Sequence, residues 1–217
     1  MLWRTDGTEA GTILLKGTVP GVSSGYPTNI TAMGDQVFFS GGGGSTNGEL
    51  WKSDGTPEGT VLVKDIYAGN PGSRPQSMMV IGSTLYFSAE DGTNGRELWK
   101  SDGTAAGTVM VKNICAGSSG SYPYLMGSIG SALIFKANDG IKGDELWKSD
   151  GTSAGTVLVK EIYSGTGGSS ISEPIVVGSN IFFQATTSAQ GSELWKTNGT
   201  AGGTVLVKDI MPGANGS

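Results

Sequence analysis

The sequence of 217 residues contains no histidine and only one cysteine, Cys115. Without histidine, His-based catalytic triads, imidazole general bases and histidine metal sites are all excluded. A single cysteine cannot form a disulfide within the chain, so no disulfide framework supports this fold. We expect Cys115 to be a partly buried filler of the interior, with a reactive thiol as the alternative.

Long apolar segments and clusters of positive charge are also missing. Even the longest apolar runs, such as 78–81, fall far short of the roughly 20 residues that cross a bilayer. Lys and Arg number 14 against 19 Asp and Glu, which gives a formal net charge of −5. Nucleic-acid binders and proteins that bind anionic membranes are usually basic, so we expect neither kind of partner and no membrane insertion.

Glycine, by contrast, is abundant, with 38 residues, and the chain consists of close copies of one segment. ELWKSDGTPEGTVLVKDI, at 49–66, returns with small changes along the whole sequence. A fixed period of this size is typical of modular folds whose units pack their apolar faces against each other. The tryptophans mark the period, since each lies 48 residues after the one before: Trp3, Trp51, Trp99, Trp147 and Trp195.

We interpret 1–217 as a single array, with a half unit at 1–18 and repeats at about 19–68, 69–116, 117–164 and 165–213. Met1 lies inside a repeat, as expected for part of a longer protein. Each repeat contains four short segments rich in β-branched and aromatic residues, for example 77–81, 84–89, 97–101 and 108–114. Four strands per repeat predict an all-β protein, a β-propeller of four-stranded antiparallel blades with four complete blades and an N-terminal half-blade.

The joints between the segments support this prediction. Gly-Ser or Gly-Asp joins the first two segments, as in a type II′ hairpin. Asp-Gly-Thr-x-x-Gly-Thr joins the last two, where the aspartate can accept hydrogen bonds from the following amides and glycine supplies a positive φ. The other two connections vary in length and sequence, and in an up-and-down blade they lie at the opposite end, where loops usually carry binding.

The octet ELWxxDGT resembles the unit of the bacterial ELWxxDGT-repeat proteins, which carry it in tandem repeats of similar length. It is complete at 49–56, 97–104 and 145–152, whereas 193–200 has Asn198 in place of aspartate and 2–8 lacks the leading glutamate. The resemblance implies a propeller-like part of a secreted or cell-surface bacterial protein. It implies no enzymatic activity and no particular ligand.

Five tyrosines on the variable connections are candidate ligand-binding residues. A tyrosine offers an apolar ring and a polar tip, which suits contact with carbohydrate or with protein. Packing over the blade ends is the alternative reading for the set Tyr26, Tyr67, Tyr122, Tyr124 and Tyr163.

Two variable loops carry oxygen ligands among their glycines and are candidate calcium sites, since calcium takes six to eight oxygens. Ordinary turn chemistry is the alternative, because the spacing of these residues shifts between repeats. No other cofactor is expected. The candidate ligands are Asp91, Asn94 and Glu97 in one loop, and Asp139, Asp144 and Glu145 in the next.

Three residue types recur at fixed positions on the strands. We expect every tryptophan to pack between blades, with a sugar-stacking platform as the alternative. We expect the recurring charges to bridge adjacent blades or to lie on a solvated rim. These charges are Glu49, Glu97, Glu145 and Glu193, with Lys52, Lys100, Lys148 and Lys196 on the third strands and Lys64, Lys112, Lys160 and Lys208 on the fourth.

Taken together, the patterns favour a non-catalytic extracellular or cell-surface module that acts as a scaffold or in recognition. The alternative is self-assembly through unpaired strand edges, which would give a closed oligomer or a filament. A glycosidase is a third hypothesis, because two carboxylates among Glu90, Asp91 and Asp139 would suffice for that chemistry. We expect no enzymatic activity.

Overall fold

The computed structural model of the chain describes residues 1–16, 26–42, 48–69, 71–214 and 216. All regular elements in these ranges are β-strands, 18 in number. Within the same ranges no helix is long and apolar enough to cross a membrane. The variable connections predicted at 17–27 and 41–48 lie largely outside the described residues.

The chain divides into two compact units, Met1–Met110 and Val111–Ser217. The strands of the first unit are β1 (Leu2–Arg4), β2 (Ile13–Lys16), β3 (Thr28–Met33), β4 (Gln36–Gly41), β5 (Glu49–Ser53), β6 (Val61–Lys64), β7 (Gln76–Ile81), β8 (Thr84–Glu90), β9 (Arg96–Ser101) and β10 (Val109–Lys112), which ends just past the boundary. Those of the second unit are β11 (Tyr124–Ile129), β12 (Ala132–Asn138), β13 (Asp144–Ser149), β14 (Val157–Lys160), β15 (Ser172–Val177), β16 (Asn180–Thr187), β17 (Gly191–Thr197) and β18 (Val205–Lys208).

Strands pair only with their neighbours in sequence, which makes each four-stranded sheet an antiparallel meander. The sheets are β3–β6, β7–β10, β11–β14 and β15–β18, and β1 and β2 form a two-stranded sheet. The chain is therefore a β-propeller protein with four complete blades and an N-terminal half-blade, as predicted. The hairpin prediction is also confirmed: Ile81 pairs with Thr84 across Gly82 and Ser83, and of those two only Gly82 has a positive φ, 61°.

The turn between the third and fourth strands is built by the same hydrogen bonds in every repeat. Asp54 Oδ1 accepts hydrogen bonds from the amide and the hydroxyl of Thr56, at 2.8 and 2.7 Å. These bonds lower the pKa of Asp54. Gly55 has a φ of 87°, so the predicted roles of aspartate and glycine are confirmed. Asn198 accepts the same two bonds from Thr200 in the last repeat, which explains why asparagine is tolerated there.

Neighbouring sheets are held together by a layer of apolar side chains that repeats along the chain. In the first unit, Trp99 and Phe87 of one sheet pack with Leu50 and Val63 of the sheet before it. The second unit repeats this layer at the equivalent positions, Trp195 and Phe183 with Leu146 and Val159. Four indoles are only 6–8% exposed, which confirms the packing prediction for Trp51, Trp99, Trp147 and Trp195.

Trp3 does not follow this rule, because 54% of it is exposed. The prediction that every tryptophan packs between blades is therefore wrong for this residue. Trp51, Trp99 and Trp195 each pack against the sheet that precedes their own. Trp3 lies in the first sheet of the described residues, so no described sheet covers it.

Lysines at the ends of the fourth strands bridge adjacent blades through backbone carbonyls. Lys64 Nζ donates to the Thr108 carbonyl at 2.7 Å, and Lys160 Nζ donates to the Thr204 carbonyl at 2.9 Å. Lys160 Nζ also lies 5.9 Å from the centre of the Trp195 ring, within the range of a cation–π contact. The prediction that these charges bridge blades is confirmed for the two lysines, with a carbonyl in place of a carboxylate as the partner.

The replacement Trp99→Ala should lower the free energy of unfolding by about 3 to 5 kcal/mol, because it leaves a cavity between two sheets. Trp3→Ala is the matched control, and its effect should stay below about 1 kcal/mol because the side chain is largely exposed. Urea denaturation of both variants measures the difference. Equal effects at the two positions would contradict the packing described above.

Two adjacent glycines in the last turn should respond differently to a methyl group. A Cβ on Gly203 would lie 2.0 Å from Asn198 Oδ1, whereas a Cβ on Gly202 meets no atom within 4 Å. Gly203→Ala should therefore destabilise the protein by about 1 to 3 kcal/mol, since the turn must open. Gly202→Ala should be neutral or slightly stabilising. Thermal melting of the two variants, compared with the parent chain, tests the turn geometry.

Candidate ligand-binding site

A buried glutamate begins the third strand of each blade and holds the connection that leads to the next blade. Glu49 accepts hydrogen bonds from the amides of Ile66 and Ser73, at 2.8 and 2.7 Å, and from the Ser73 hydroxyl at 2.5 Å. Glu145 accepts from two amides of the equivalent connection, at 2.7 and 3.1 Å. The prediction that these glutamates bridge blades or lie on a solvated rim is wrong, because each is buried and its oxygens serve the backbone of its own repeat.

Burial dominates the electrostatics of these carboxyl groups. It raises the pKa of Glu49 above the usual range, and it raises the pKa of Glu145 to about 7. The hydrogen bonds from the connection act in the opposite direction, since they favour the ionised form. Desolvation outweighs them at both positions.

A buried serine fixes the far end of each connection to the second strand of the next blade. The Ser73 carbonyl accepts a hydrogen bond from the Glu90 amide at 2.9 Å, and the Ser169 carbonyl accepts one from the Thr186 amide at 2.7 Å. Ser121 accepts the equivalent bond in the repeat between them, at 2.9 Å. The glutamate and the serine together give the connection the same frame in each repeat.

The residue that follows this serine has a left-handed backbone and an exposed side chain. Its φ is 46° at Arg74, 48° at Tyr122 and 48° at Ser170. Residues other than glycine rarely adopt this conformation, and they keep it where the surrounding structure holds them there. The frame is therefore constant while the displayed side chain changes from arginine to tyrosine to serine. Tyr26 occupies the same position in the first complete repeat, 48 residues before Arg74.

In the first unit, two of these residues line one cavity of about 270 Å³. Tyr26 is 77% exposed there, and Arg74 is also exposed. Asn29 and Gln76 add amide groups to the wall, and Asn29 Nδ2 donates to the Pro75 carbonyl at 3.2 Å. The cavity thus combines one aromatic ring, one guanidinium and two amides.

A second cavity, of about 320 Å³, lies in the second unit. Tyr122, 59% exposed, lines it together with Asn138, Ile141 and Thr166. Cys115 lines the same cavity but is 95% buried by its complement of 5% exposure, in keeping with a filler of the interior. Each unit therefore has its own cavity on the variable connections.

The other three predicted tyrosines do not line either cavity. The rings of Tyr67 and Tyr163 lie against glycines, since a Cβ on Gly92 or on Gly167 would be 2.5 or 2.7 Å from them. Tyr124 is partly exposed and has Lys136 Nζ 5.8 Å from its ring centre. The structure thus assigns the packing alternative to Tyr67 and Tyr163 and brings Tyr26 and Tyr122 to cavities.

In the first candidate calcium loop, the oxygens already have partners within the turn. Asp91 Oδ1 accepts hydrogen bonds from the amides of Thr93 and Asn94, at 2.8 and 2.7 Å. Asp91 Oδ2 accepts one from the Asn94 side chain at 2.7 Å. Glu97 is fully buried at the start of β9.

The second candidate loop has the same character. Asp139 accepts hydrogen bonds from the amides of Ile141 and Lys142, at 2.8 and 2.7 Å, and Asp144 forms an ion pair with Lys136 at 3.2 Å. Glu145 holds the connection described above. Among the described residues no group of three or more acidic, histidine or cysteine side chains is placed to hold a metal ion.

Sequence reasoning missed Arg74, Asn29 and Gln76, which line the first cavity. The signal that could have found Arg74 is the repeat itself. Residues 26, 74 and 122 stand directly before a proline and differ in chemistry, while the residues around them hardly change. Asn29 and Gln76 carry no such signal, because only the stacking of β3 beside β7 brings them to one cavity.

The raised pKa of Glu145 predicts how stability depends on pH. The folded state binds the proton more tightly than the unfolded state, so this group's contribution is complete below about pH 4.5 and is lost as the pH rises through about 7. With about 1.4 kcal/mol for each pKa unit, the loss is about 3 kcal/mol.

Glu145→Gln should flatten this part of the pH profile, since glutamine keeps the shape and cannot ionise. Glu58→Gln, which removes one exposed carboxylate, is the matched control. Urea denaturation at a series of pH values measures both variants. A parent protein whose stability does not fall between pH 4.5 and 7 relative to Glu145→Gln would contradict the assignment.

Comparisons with known proteins agree with the fold. No protein-family model and no curated protein sequence matches the chain. Similar solved structures include a prolyl endopeptidase (TM-score 0.59, 12% identity, 94% of this chain and 29% of the other), puromycin hydrolase (0.58, 13%, 88% and 29%) and TolB from Acinetobacter baumannii (0.51, 12%, 79% and 40%). The chain thus spans less than a third of the length of the first two. At such low identity the likeness establishes the β-propeller fold alone.

Proposed function

We propose that the chain is a non-catalytic recognition module that binds carbohydrate through the variable connections of its blades. The observation that carries this proposal is the repeated left-handed position, which displays a different exposed side chain on the same frame in successive repeats. Two of its residues, Tyr26 and Arg74, line one cavity, and a third, Tyr122, lines another. A constant frame with variable side chains is the arrangement expected of a recognition surface.

The chemistry of the first cavity favours an acidic sugar. The Tyr26 ring can stack on the apolar face of a sugar ring. Arg74 offers a planar fork of donors that matches a carboxylate, and Asn29 and Gln76 supply amides for hydroxyl groups. A guanidinium in a protein with a net charge of −5 also gives this cavity a positive site that the chain as a whole lacks.

Two cavities on one chain support binding to a polymer. Each is small and open, so we expect weak binding of a single sugar unit. A polysaccharide that occupies both cavities would bind more tightly, because the second contact forms at a high effective concentration. A protein ligand is the alternative partner for the same exposed tyrosines.

We propose further that the module belongs to a secreted or cell-surface bacterial protein of the ELWxxDGT-repeat type. The repeated octet and its 48-residue spacing support this placement. The partners of the loop acids support the non-catalytic part of the proposal. Asp91 and Asp139 hold turns, and Glu90 forms an ion pair with Arg96 at 3.2 Å.

Isothermal titration with oligogalacturonate, compared with a neutral cello-oligosaccharide of equal length, tests the function. We expect the acidic oligosaccharide to bind, and Arg74→Ala and Tyr26→Ala each to weaken binding at least tenfold. Arg74→Lys should recover only part of the affinity, because lysine lacks the planar fork. Ser170→Ala, a change at the equivalent position outside both cavities, is the matched control and should leave the affinity unchanged.

Failure of the acidic oligosaccharide to bind, or equal binding by Arg74→Ala, would contradict an acidic-sugar site. A glycan array would then show whether another carbohydrate is bound, and no binder on it would contradict carbohydrate recognition. Turnover of chromogenic glycosides that Asp91→Asn abolishes would overturn the non-catalytic part.

A further inference from the structure

The last sheet, β15–β18, exposes the face that is buried in the sheets before it. Leu194 on its third strand is 41% exposed, whereas the equivalent Leu50, Leu98 and Leu146 are 0% exposed. The fourth strand shows the same contrast, since Val207 is 45% exposed and the equivalent Val63, Val111 and Val159 are 6–7% exposed. Val177 and Ile210 extend this apolar surface. We call it the open face.

The rest of the fold shows what kind of surface covers this face. In the second unit, Leu146 and Val159 pack against Trp195 of the next sheet. In the first unit, Leu2 and Leu15 pack against Trp51 of the next sheet in the same way. The occupant is therefore a surface that presents an indole from the third strand of a repeat of this same sequence.

The chain carries one exposed copy of such a surface, at β1 and β2. Trp3 has the position of the buried indoles but is 54% exposed. A polar contact completes the match. Along the chain, a lysine donates to a threonine carbonyl 44 residues later, as Lys160 does to Thr204. Lys208 continues the series of donors at one end, and Thr12 continues the series of carbonyls at the other.

We propose that the open face of one copy binds the Trp3 surface of a second copy. The Trp3 ring packs on Leu194 and Val207 of the other molecule, and Lys208 Nζ donates to the carbonyl of the partner's Thr12. This contact goes beyond the proposed recognition function and does not depend on it. It also differs from the assembly predicted from the sequence, because sheet faces meet here in place of strand edges.

The two surfaces are different, so the contact is heterologous and each pair keeps one open face and one Trp3 surface. Association therefore continues to longer chains of molecules or closes into a ring. Apolar burial supplies most of the binding, and salt screens it little, in contrast to a contact between charged surfaces.

Light scattering coupled to gel filtration, over a range of protein concentrations, tests the contact. We expect the mass to rise above the 22.1 kDa of one chain as the concentration increases, and to do so at high salt as well. Leu194→Asp and Trp3→Asp should each abolish this rise. Ile141→Asp is the matched control, since Ile141 is 72% exposed on a variable connection away from the open face. Thermal melting of every variant checks that the fold is intact.

Mixing the two variants tests the polarity of the contact. Leu194→Asp keeps a functional Trp3 surface, and Trp3→Asp keeps a functional open face. Each variant alone should stay at the mass of one chain, and an equimolar mixture should form a 1:1 dimer that grows no further. Lys208→Ala should weaken the dimer without removing it.

Several outcomes would overturn the proposal. A parent chain that stays monomeric at every concentration would exclude the contact. Association that survives Trp3→Asp but not Leu194→Asp would indicate that two open faces meet each other. Association that survives both variants would point to strand edges. None of these results affects oligosaccharide binding, so the two proposals fail independently.

Discussion

The fold depends on one repeated contact, the burial of an indole from one sheet against leucine and valine side chains of the sheet before it. A single four-stranded sheet has two faces and cannot cover both, so each repeat needs a neighbour. The indole Nε1 atoms of Trp99, Trp147 and Trp195 have no hydrogen-bond partner among the described residues. An unpaired buried donor costs about 1 to 3 kcal/mol. Because removing a buried tryptophan side chain costs about 3 to 5 kcal/mol, packing outweighs the lost bond.

The same contact explains why the ends of the array differ from its interior. Trp3 and Leu194 have the identities of buried residues but are exposed, because no described sheet covers them. Their sequence context is nearly that of the interior repeats, so the difference lies in position alone. A strictly repeated interface therefore leaves two unlike surfaces, and these surfaces are complementary to each other.

Buried glutamates provide the second constraint, and it links the fold to recognition. Glu49 and Glu145 hold the backbone of a connection at fixed points, and the next blade holds it again through Ser73 and Ser169. Between these points one residue is left exposed in a left-handed conformation. The chain can therefore change the chemistry of this residue, as in Arg74 and Tyr122, without changing the frame. Stability and variation are assigned to different residues.

The sequence by itself determined the secondary structure, the hairpins and the packing of the interior tryptophans, since these follow from local patterns that recur every 48 residues. Only the tertiary structure decided which repeated residues differ in environment. It buried the glutamates beneath their own connections, exposed Trp3, and separated Tyr26 and Tyr122 from the tyrosines that pack on glycine. The physical reason is that periodicity gives equivalent residues equal local preferences, whereas exposure depends on whether another sheet or loop lies against them.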